Sequence, residues 1–311
     1  MGRVSGWRES GKFAIERRTT MTTQSITSAA ITDGQKKQYL RFVEDAAEKA
    51  LKEACLDKDG IQKLIENGDE FQSRIMTAIG ELSVSNQFAD EEVQSSYAYP
   101  KGYKVRGITE QTNILRQLFP GVGNALEKIA EQPLPPNAEG WFAIPKWQTF
   151  APTYNEAVLK VLAMIASKRK FYNYREGALG ADYLRHHART AKMFRTLEAQ
   201  QKDHDILVVP AQFGMRHRGR SVRRAREVFT ANEFGLGAFA VGIMLLTHPE
   251  REIQWEQLHV DCAGDEYSPD ADGKFSEAPL VYFRDGKVKF HTGWFDNAYV
   301  HYGSASAFLA Q

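Results

Sequence analysis

The chain has 311 residues, 42% of them hydrophobic and 25% charged, values that sit in the globular range and allow one large domain or two ordinary ones. A formal net charge of +1 excludes a generic polybasic coat, so any electrostatic function depends on uneven placement. Two cysteines, Cys55 and Cys262, make neither a disulfide framework nor a zinc pattern and read as reduced thiols in a cytoplasmic protein.

The charge is unevenly placed. Residues 168–226 hold 15 Lys and Arg against 5 Asp and Glu, a local charge of +10. Residues 33–92 carry −6 and residues 261–285 carry −5. A basic middle thus stands between two acidic sections.

In chain order, residues 1–31 read as a disordered lead or an upstream extension, with Met21 a plausible start. The first 20 residues are basic without an apolar core, which excludes a secretory signal and leaves a transit peptide as a minor alternative. Thr32 with Gln35 has capping-box spacing, and Leu40, Val43, Ala47, Ala50, Leu51 and Ala54 share one helical face. A short helix around Ile61, Leu64 and Ile65 ends at Asn67-Gly68. Phe71, Ile75, Ile79 and Leu82 define a third helix. A further helix is expected over Glu110 to Leu118. Residues 32–130 form a helical section, and 131–140, EQPLPPNAEG, form a linker in which prolines and small polar residues sustain no regular structure.

Residues 141–311 are expected to form the α+β domain with a mixed sheet. Trp141 to Phe150 reads as an edge strand or packed loop because of Pro145. Thr153 and Glu156 open a helix that buries Val158, Val161, Leu162 and Ile165. Another helix is expected from about Ala181, with Leu184, Ala188, Ala191 and Phe194 aligned. Asp205 to Pro210 reads as a strand buried on both faces, and Ser221 as the N-cap of a helix through Phe229. Phe239 to Leu246 and Trp255 to Val260 are strand candidates. Asp285-Gly286 between Leu280–Phe283 and Val288–Phe290 is a hairpin signal. The longest apolar run, Phe234 to Leu246, is too short for a bilayer, which takes about 20 residues; no membrane association is expected.

Three constellations carry chemistry. In RHRGRSVRRAR, residues 216–226, six of eleven residues are Arg: Arg216, Arg218, Arg220, Arg223, Arg224 and Arg226. Guanidinium groups bind phosphate in bidentate fashion, and a strand end followed by a helix N-terminus attracts anions. The segment therefore reads as an exposed anion-binding surface. Its rival partner is the protein's own acidic segment, 261–272. Residues 168–175, KRKFYNYR, interleave the cations Lys168, Arg169, Lys170 and Arg175 with Phe171, Tyr172 and Tyr174, a pattern suited to stacking on single-stranded bases. The bland reading is a helix C-terminus with cations complementing its dipole.

In LHVDCAGDEY, His259 and Asp261 lie two apart on a strand and face one side. With Asp265 and Glu266 they are candidates for a Mg²⁺ or Mn²⁺ site, and His259, Asp261 and Glu266 for acid–base catalysis. Cys262 and His259 point to opposite faces and make a poor nucleophilic pair. His186 and His187 read as surface residues on a basic helix. Gly235-Leu-Gly237 matches only half of a dinucleotide loop, and no nucleotide, metalloprotease or serine-hydrolase motif is present.

The block 204–273, above all VVPAQFGMRHRGRSVRRAREVFTANEFGLGAF and WEQLHVDCAGDEYSPDADG, resembles a family of uncharacterised bacterial proteins with no assigned function. The resemblance extends over most of the chain after Met21; it implies a bacterial cytoplasmic setting and carries over no functional residue. The leading expectation is a phosphate- or polyanion-binding protein whose partner is nucleic acid or a nucleotide. The alternatives are a metal-assisted or acid–base enzyme acting on a phosphorylated small molecule, and a homo-oligomer in which acidic helices meet the basic face of another copy.

Overall fold

The structure, a computed structural model, describes residues 32–82 and 86–309, so the expected lead 1–31 lies outside the described residues. The chain divides into two compact units between Phe71 and Gln72. In the first, α1 (Asp33–Ala54) starts where the Thr32 hydroxyl accepts from the Gln35 N–H at 3.2 Å while the Thr32 N–H donates to Gln35 Oε1 at 3.0 Å. This is the reciprocal capping that the spacing predicts. Asp57 caps α2 (Lys58–Glu66), accepting from the Gly60 N–H at 2.7 Å. Asn67 closes it, and α3 (Gly68–Leu82) follows and spans the division. No side chain of α1 or α2 is buried, and Leu40, Phe42 and Ile65 are exposed.

The second unit opens with α4 (Ile108–Leu118), β1 (Gly140–Pro145), α5 (Tyr154–Lys168), β2 (Phe171–Asn173), β3 (Leu184–His186) and α6 (Ala188–Gln200). It continues with β4 (Ile206–Gln212), α7 (Val222–Glu227), β5 (Glu233–Gly235) and α8 (Ala238–Thr247). Six of its strands come last: β6 (His259–Asp261), β7 (Asp265–Tyr267), β8 (Glu277–Arg284), β9 (Lys287–Trp294), β10 (Tyr302–Ser304) and β11 (Ser306–Phe308) follow α8. One sheet is antiparallel throughout, in the order β1-β4-β11-β5. The other is mixed: β10-β6-β8-β7-β3, with β9 joining β8 to β2 and the pairs β10–β6 and β2–β9 parallel. The fold is α+β.

The segment 131–140 lies inside this second unit. Helix α4, before it, is tied to strand β1, after it, by one side chain: Gln111 Nε2 donates to the Trp141 carbonyl at 2.8 Å, and Gln111 Oε1 accepts from the Ala143 N–H at 3.0 Å. Gln111 is fully buried, so both β1 groups are satisfied without water.

The run Phe239–Leu246 is helix α8, not a strand. An unbroken apolar run has no period to separate the two. Here every residue of α8 is buried, against α5 and β1. Gly242 admits α5 at close range, since a Cβ there would stand 2.5 Å from Val161 Cγ1. The strand expected at Trp255–Val260 is shorter and later, covering His259–Asp261. The helix expected from Ala181 starts at Ala188, because Leu184–His186 are taken by pairing with β7. Thr153, Ser221 and Asp285-Gly286 behave as their chemistry dictates. The first two cap α5 and α7, accepting from the Glu156 and Arg224 N–H groups. Asp285 and Gly286 both have positive φ, 54° and 72°, as a two-residue type I′ hairpin turn requires.

Candidate functional site

Of the six arginines in 216–226, Arg218 alone is exposed; its guanidinium donates to the Tyr97 carbonyl at 3.3 Å. The other five are partly or fully buried, and the expected exposed surface is not formed. Arg216 Nε lies 3.2 Å from Glu233 Oε1, an oxygen that also takes His217 Nε2 at 2.7 Å and Ser306 Oγ at 2.6 Å. Arg220 pairs with Glu92 at 3.2 Å and Arg223 pairs with Glu91. Arg224, 7% exposed, reaches Glu92 at 2.5 Å and Glu227 at 2.8 Å. Arg226 donates to the backbone oxygens of Ala263 and Asp265 at 2.9 and 2.6 Å.

The anions paired with the segment are therefore Glu91, Glu92, Glu227, Glu233 and Asp296, while the acidic segment 261–272 hydrogen-bonds it through backbone carbonyls. Burial works to raise the Glu233 carboxyl, but the His217 and Ser306 hydrogen bonds and the Arg216 charge outweigh it and hold it at about 2. Burial alone pushes the Arg226 guanidinium down to about 10, against the opposing charges of Glu266 and Asp265.

The segment 168–175 divides in the same way. Arg169 is tied to the carbonyls of Pro249 and Glu252. Arg175 bonds Thr292 Oγ1 at 2.7 Å and Glu277 at 3.0 Å, over the Tyr267 ring. Phe171 packs on the core. Lys168, Lys170, Tyr172 and Tyr174 stay exposed, with the Tyr172 ring on β2 4.7 Å from that of Tyr174 just past its end.

His259, Asp261, Asp265 and Glu266 do not form one site. His259 and Asp261 belong to β6, Asp265 and Glu266 to β7, and β8 lies between those strands. Glu266 pairs with Arg185 at 2.8 Å. Among the described residues no three His, Cys, Asp or Glu side chains stand where they can hold one metal ion. On β6 the expected shared face is real. Burial pushes the Asp261 carboxyl up to about 7.

A different arrangement forms around Asp265. Strands β3 and β7 place His186 directly opposite Asp265, so both side chains leave one face of the sheet. His186 Nδ1 stands 2.8 Å from Asp265 Oδ1. The Tyr154 hydroxyl donates to Asp265 Oδ2 at 2.7 Å, and the Ala238 N–H at the start of α8 donates to the same oxygen at 2.7 Å. A carboxylate at a helix N-terminus is favoured by the unpaired N–H groups there. Burial, first, and the Asp265 charge push the Tyr154 phenol well above its usual range, so it stays a proton donor to the carboxylate. Asp265 is fully buried, while the His186 side chain is 16% exposed.

His186 opens onto a small cleft that it lines with Lys146, Trp147, Phe194, Glu198 and Phe239. Gln148 Nε2 donates to Glu198 at 3.1 Å, and Lys146 Nζ donates to the Gln201 and Lys202 carbonyls, each at 3.1 Å. The glycines of Gly235-Leu-Gly237 serve this site. A Cβ on Gly237 would stand 2.3 Å from Asp265 Oδ1 and 2.6 Å from the Tyr154 hydroxyl. One on Gly235 would stand 2.4 Å from the Ala263 carbonyl carbon. The pair thus permits close backbone approach to the Asp265 turn and makes no dinucleotide loop.

His186 and His187 are therefore not surface residues of a helix. Burial, then the Arg226 charge, lowers His187 to about 4. No spacing in the sequence links His186 to Asp265; the β3–β7 register alone joins them. No protein-family model matches the chain, and comparison with curated proteins and with solved structures gives no match.

Proposed function

We propose that the protein is an enzyme that uses general acid–base catalysis on a small molecule with an apolar body, with His186 as the base. The observation that carries this reading is the 2.8 Å contact between His186 Nδ1 and a fully buried Asp265 carboxylate at the edge of a cleft. When Nδ1–H donates to the carboxylate, Nε2 is left with its lone pair. The carboxylate fixes ring orientation and stabilises the imidazolium formed when Nε2 takes a proton. Asp265 is itself held by Tyr154 and Ala238, so it cannot turn away. Trp147, Phe194 and Phe239 provide an apolar wall, and Glu198 and Lys146 provide polar groups at the same cleft. This keeps the acid–base part of the enzyme reading and moves its base from His259 to His186. A phosphorylated substrate has less support, since Lys146 is the one cation of the cleft lining.

The test is a mixed pool of small cellular metabolites incubated in deuterated water with the wild-type chain, His186→Gln or Asp265→Asn. Mass spectrometry then reads which compounds take up deuterium or change. Compounds converted by the wild type and spared by both variants, with circular dichroism unchanged, support the reading. A His186→Gln variant as active as the wild type overturns it, and so does a pool that no form of the protein alters.

A second reading has its own observation. Tyr172 on β2 and Tyr174 just past its end are 50% and 44% exposed, close in the chain to exposed Lys168 and Lys170. Exposed rings among cations suit stacking on single-stranded nucleic acid, and this surface takes over the polyanion role first expected of the arginine segment. Fluorescence anisotropy with a labelled oligonucleotide across a salt series tests it. Binding that falls with salt and weakens in Tyr172→Ala supports it, and binding absent at low salt removes it.

A further inference from the structure

Strands β6 and β10 run parallel, with Tyr302 opposite His259 and Ser304 opposite Asp261. Alternation along each strand puts these four side chains on one face. Glu252, just beyond the turn Pro249–Arg251, adds a carboxylate whose Oε2 lies 3.1 Å from His259 Nδ1. His259, Glu252 and Ser304 are fully buried and Asp261 is 8% exposed. Trp255, Tyr282 and Tyr302 surround the His259 ring at centroid distances of 5.1, 6.0 and 5.4 Å.

The hydrogen-bonding capacity of this cluster does not balance. Nδ1–H of His259 is used on Glu252, which leaves Nε2 as an acceptor, and it has no partner. Glu252 Oε1 and Ser304 Oγ are buried without partners as well. No described residue donates to the Asp261 carboxyl, whose surroundings act on it through burial alone. Glu252 has a counter-charge in Arg251, 3.9 Å away; Asp261 has none. What is missing is a group that brings several N–H donors and one positive charge. Buried acceptors left unmade cost about 1–3 kcal/mol each, so an arrangement that keeps them is one that something else completes.

We propose that this face of β6 and β10 binds the ammonium group of a small primary amine, with Asp261 as counter-ion and Ser304 and His259 as hydrogen-bond acceptors. An ammonium has three donors and no acceptor, which fits a site made of acceptors. Trp255, Tyr282 and Tyr302 line the His259 ring, and the Trp255 and Tyr282 rings already lie under Arg284 and Lys289, at 5.3 and 6.0 Å, so the selectivity for a cation rests on Asp261. Ordered water would satisfy the acceptors, but it would leave the Asp261 charge uncompensated once pH rises past about 7, where the carboxyl gives up its proton. The site is separate from the cleft at His186 and does not depend on the reaction there.

The test is thermal unfolding of the full chain in methylammonium, tetramethylammonium or sodium chloride at equal ionic strength. Methylammonium raises the midpoint by several degrees, while tetramethylammonium, which has no N–H, and sodium do not. Asp261→Asn and Ser304→Ala lose that response. An equal response to all three salts, or a full methylammonium response in Asp261→Asn, overturns the proposal and leaves ordered water as the occupant. A wild-type measurement covers the case in which the variants fail to fold. Carbon-13 NMR of labelled aspartate carboxyls follows the Asp261 titration, which moves to lower pH in methylammonium; an unmoved titration overturns the proposal too.

Discussion

Arg226 and Asp265 are joined through the backbone: the guanidinium donates to the Asp265 carbonyl at 2.6 Å and, through Nε, to that of Ala263 at 2.9 Å. The arginine-rich segment thus braces the turn that presents the Asp265 carboxylate to His186. Hydrogen bonds from a charged group are worth about 1.5–3 kcal/mol each, and carbonyls orphaned by truncation add a penalty. Arg226→Ala is expected to lower stability by about 2–4 kcal/mol, seen as a fall in the urea midpoint. Arg218→Ala, at the exposed position of the same segment, serves as the control and changes the midpoint by less than about 0.5 kcal/mol. Equal effects of the two substitutions would refute the bracing role.

Gly237 and the His186–Asp265 pair are coupled by space. The Cβ of Gly237→Ala would meet Asp265 Oδ1 and the Tyr154 hydroxyl, at 2.3 and 2.6 Å. Backbone and carboxylate must then separate. The expected result is a drop in stability together with a shift of the His186 Nδ1 resonance in nitrogen-15 NMR, because its hydrogen-bond partner has moved. A folded Gly237→Ala protein with an unchanged His186 signal would mean the close approach is not what fixes the pair.

The elements that announced themselves in the sequence are those set by local chemistry. Thr32, Thr153 and Ser221 cap helices because a hydroxyl before a helix meets an N–H three residues on, and Asp285-Gly286 turns because both adopt positive φ. The apolar run in α8 was ambiguous for want of a period. The fate of the arginines was legible only in part. Glu227 and Glu233, which take Arg224 and Arg216, lie just past the segment, but Glu91 and Glu92 lie about 130 residues earlier in the chain, and charge counting over a window cannot see a partner outside it. The pairing of His186 with Asp265 depends on the β3–β7 register, which is a property of the tertiary structure. Of the candidates in LHVDCAGDEY, alternation groups His259 with Asp261 on β6, while Asp265 and Glu266, expected to complete the site from the following turn, stand on β7 with β8 between the two strands.

Glu233 predicts a pH dependence. Its carboxyl is held at about 2 in the fold, against about 4.3 in an unfolded chain. A depressed carboxylate contributes stability that is present above the unfolded value and lost as pH falls toward the folded one. The wild type should therefore lose up to about 3 kcal/mol between pH 5 and 2 from this group. Glu233→Gln should be less stable than the wild type at pH 6, with the gap closing toward pH 2. Urea midpoints across that range decide it; a gap that widens in acid contradicts the assignment.

Asp261 predicts the opposite sign. Its folded value of about 7 lies above the unfolded value of about 3.9. The fold therefore binds the proton more tightly, and stability falls as pH rises from about 4 to 7. Without amine present, Asp261→Asn removes that slope and should be the more stable protein at pH 8 by about 2–4 kcal/mol. At pH 4 the two should match closely. A variant that is destabilised equally at both pH values would show that the carboxyl is ionised and paired in the fold.

The position of the core sets a last expectation. The buried apolar cluster runs from Ile108 to Phe308, and neither α1 nor α2 buries a side chain. Helices without a buried face draw little stability from tertiary packing, and isolated ones are marginal in water. Removal of residues 1–71 should therefore leave a folded protein whose thermal midpoint is within about 2 °C of the full chain, a shift of about 1 kcal/mol or less. The Glu91 and Glu92 pairs with Arg223 and Arg224 survive in it, since both carboxylates lie beyond the cut. The excised segment 32–71 should show weak helical circular dichroism when dilute. A truncated chain that unfolds at much lower temperature would show that the first unit buries surface which the second needs covered.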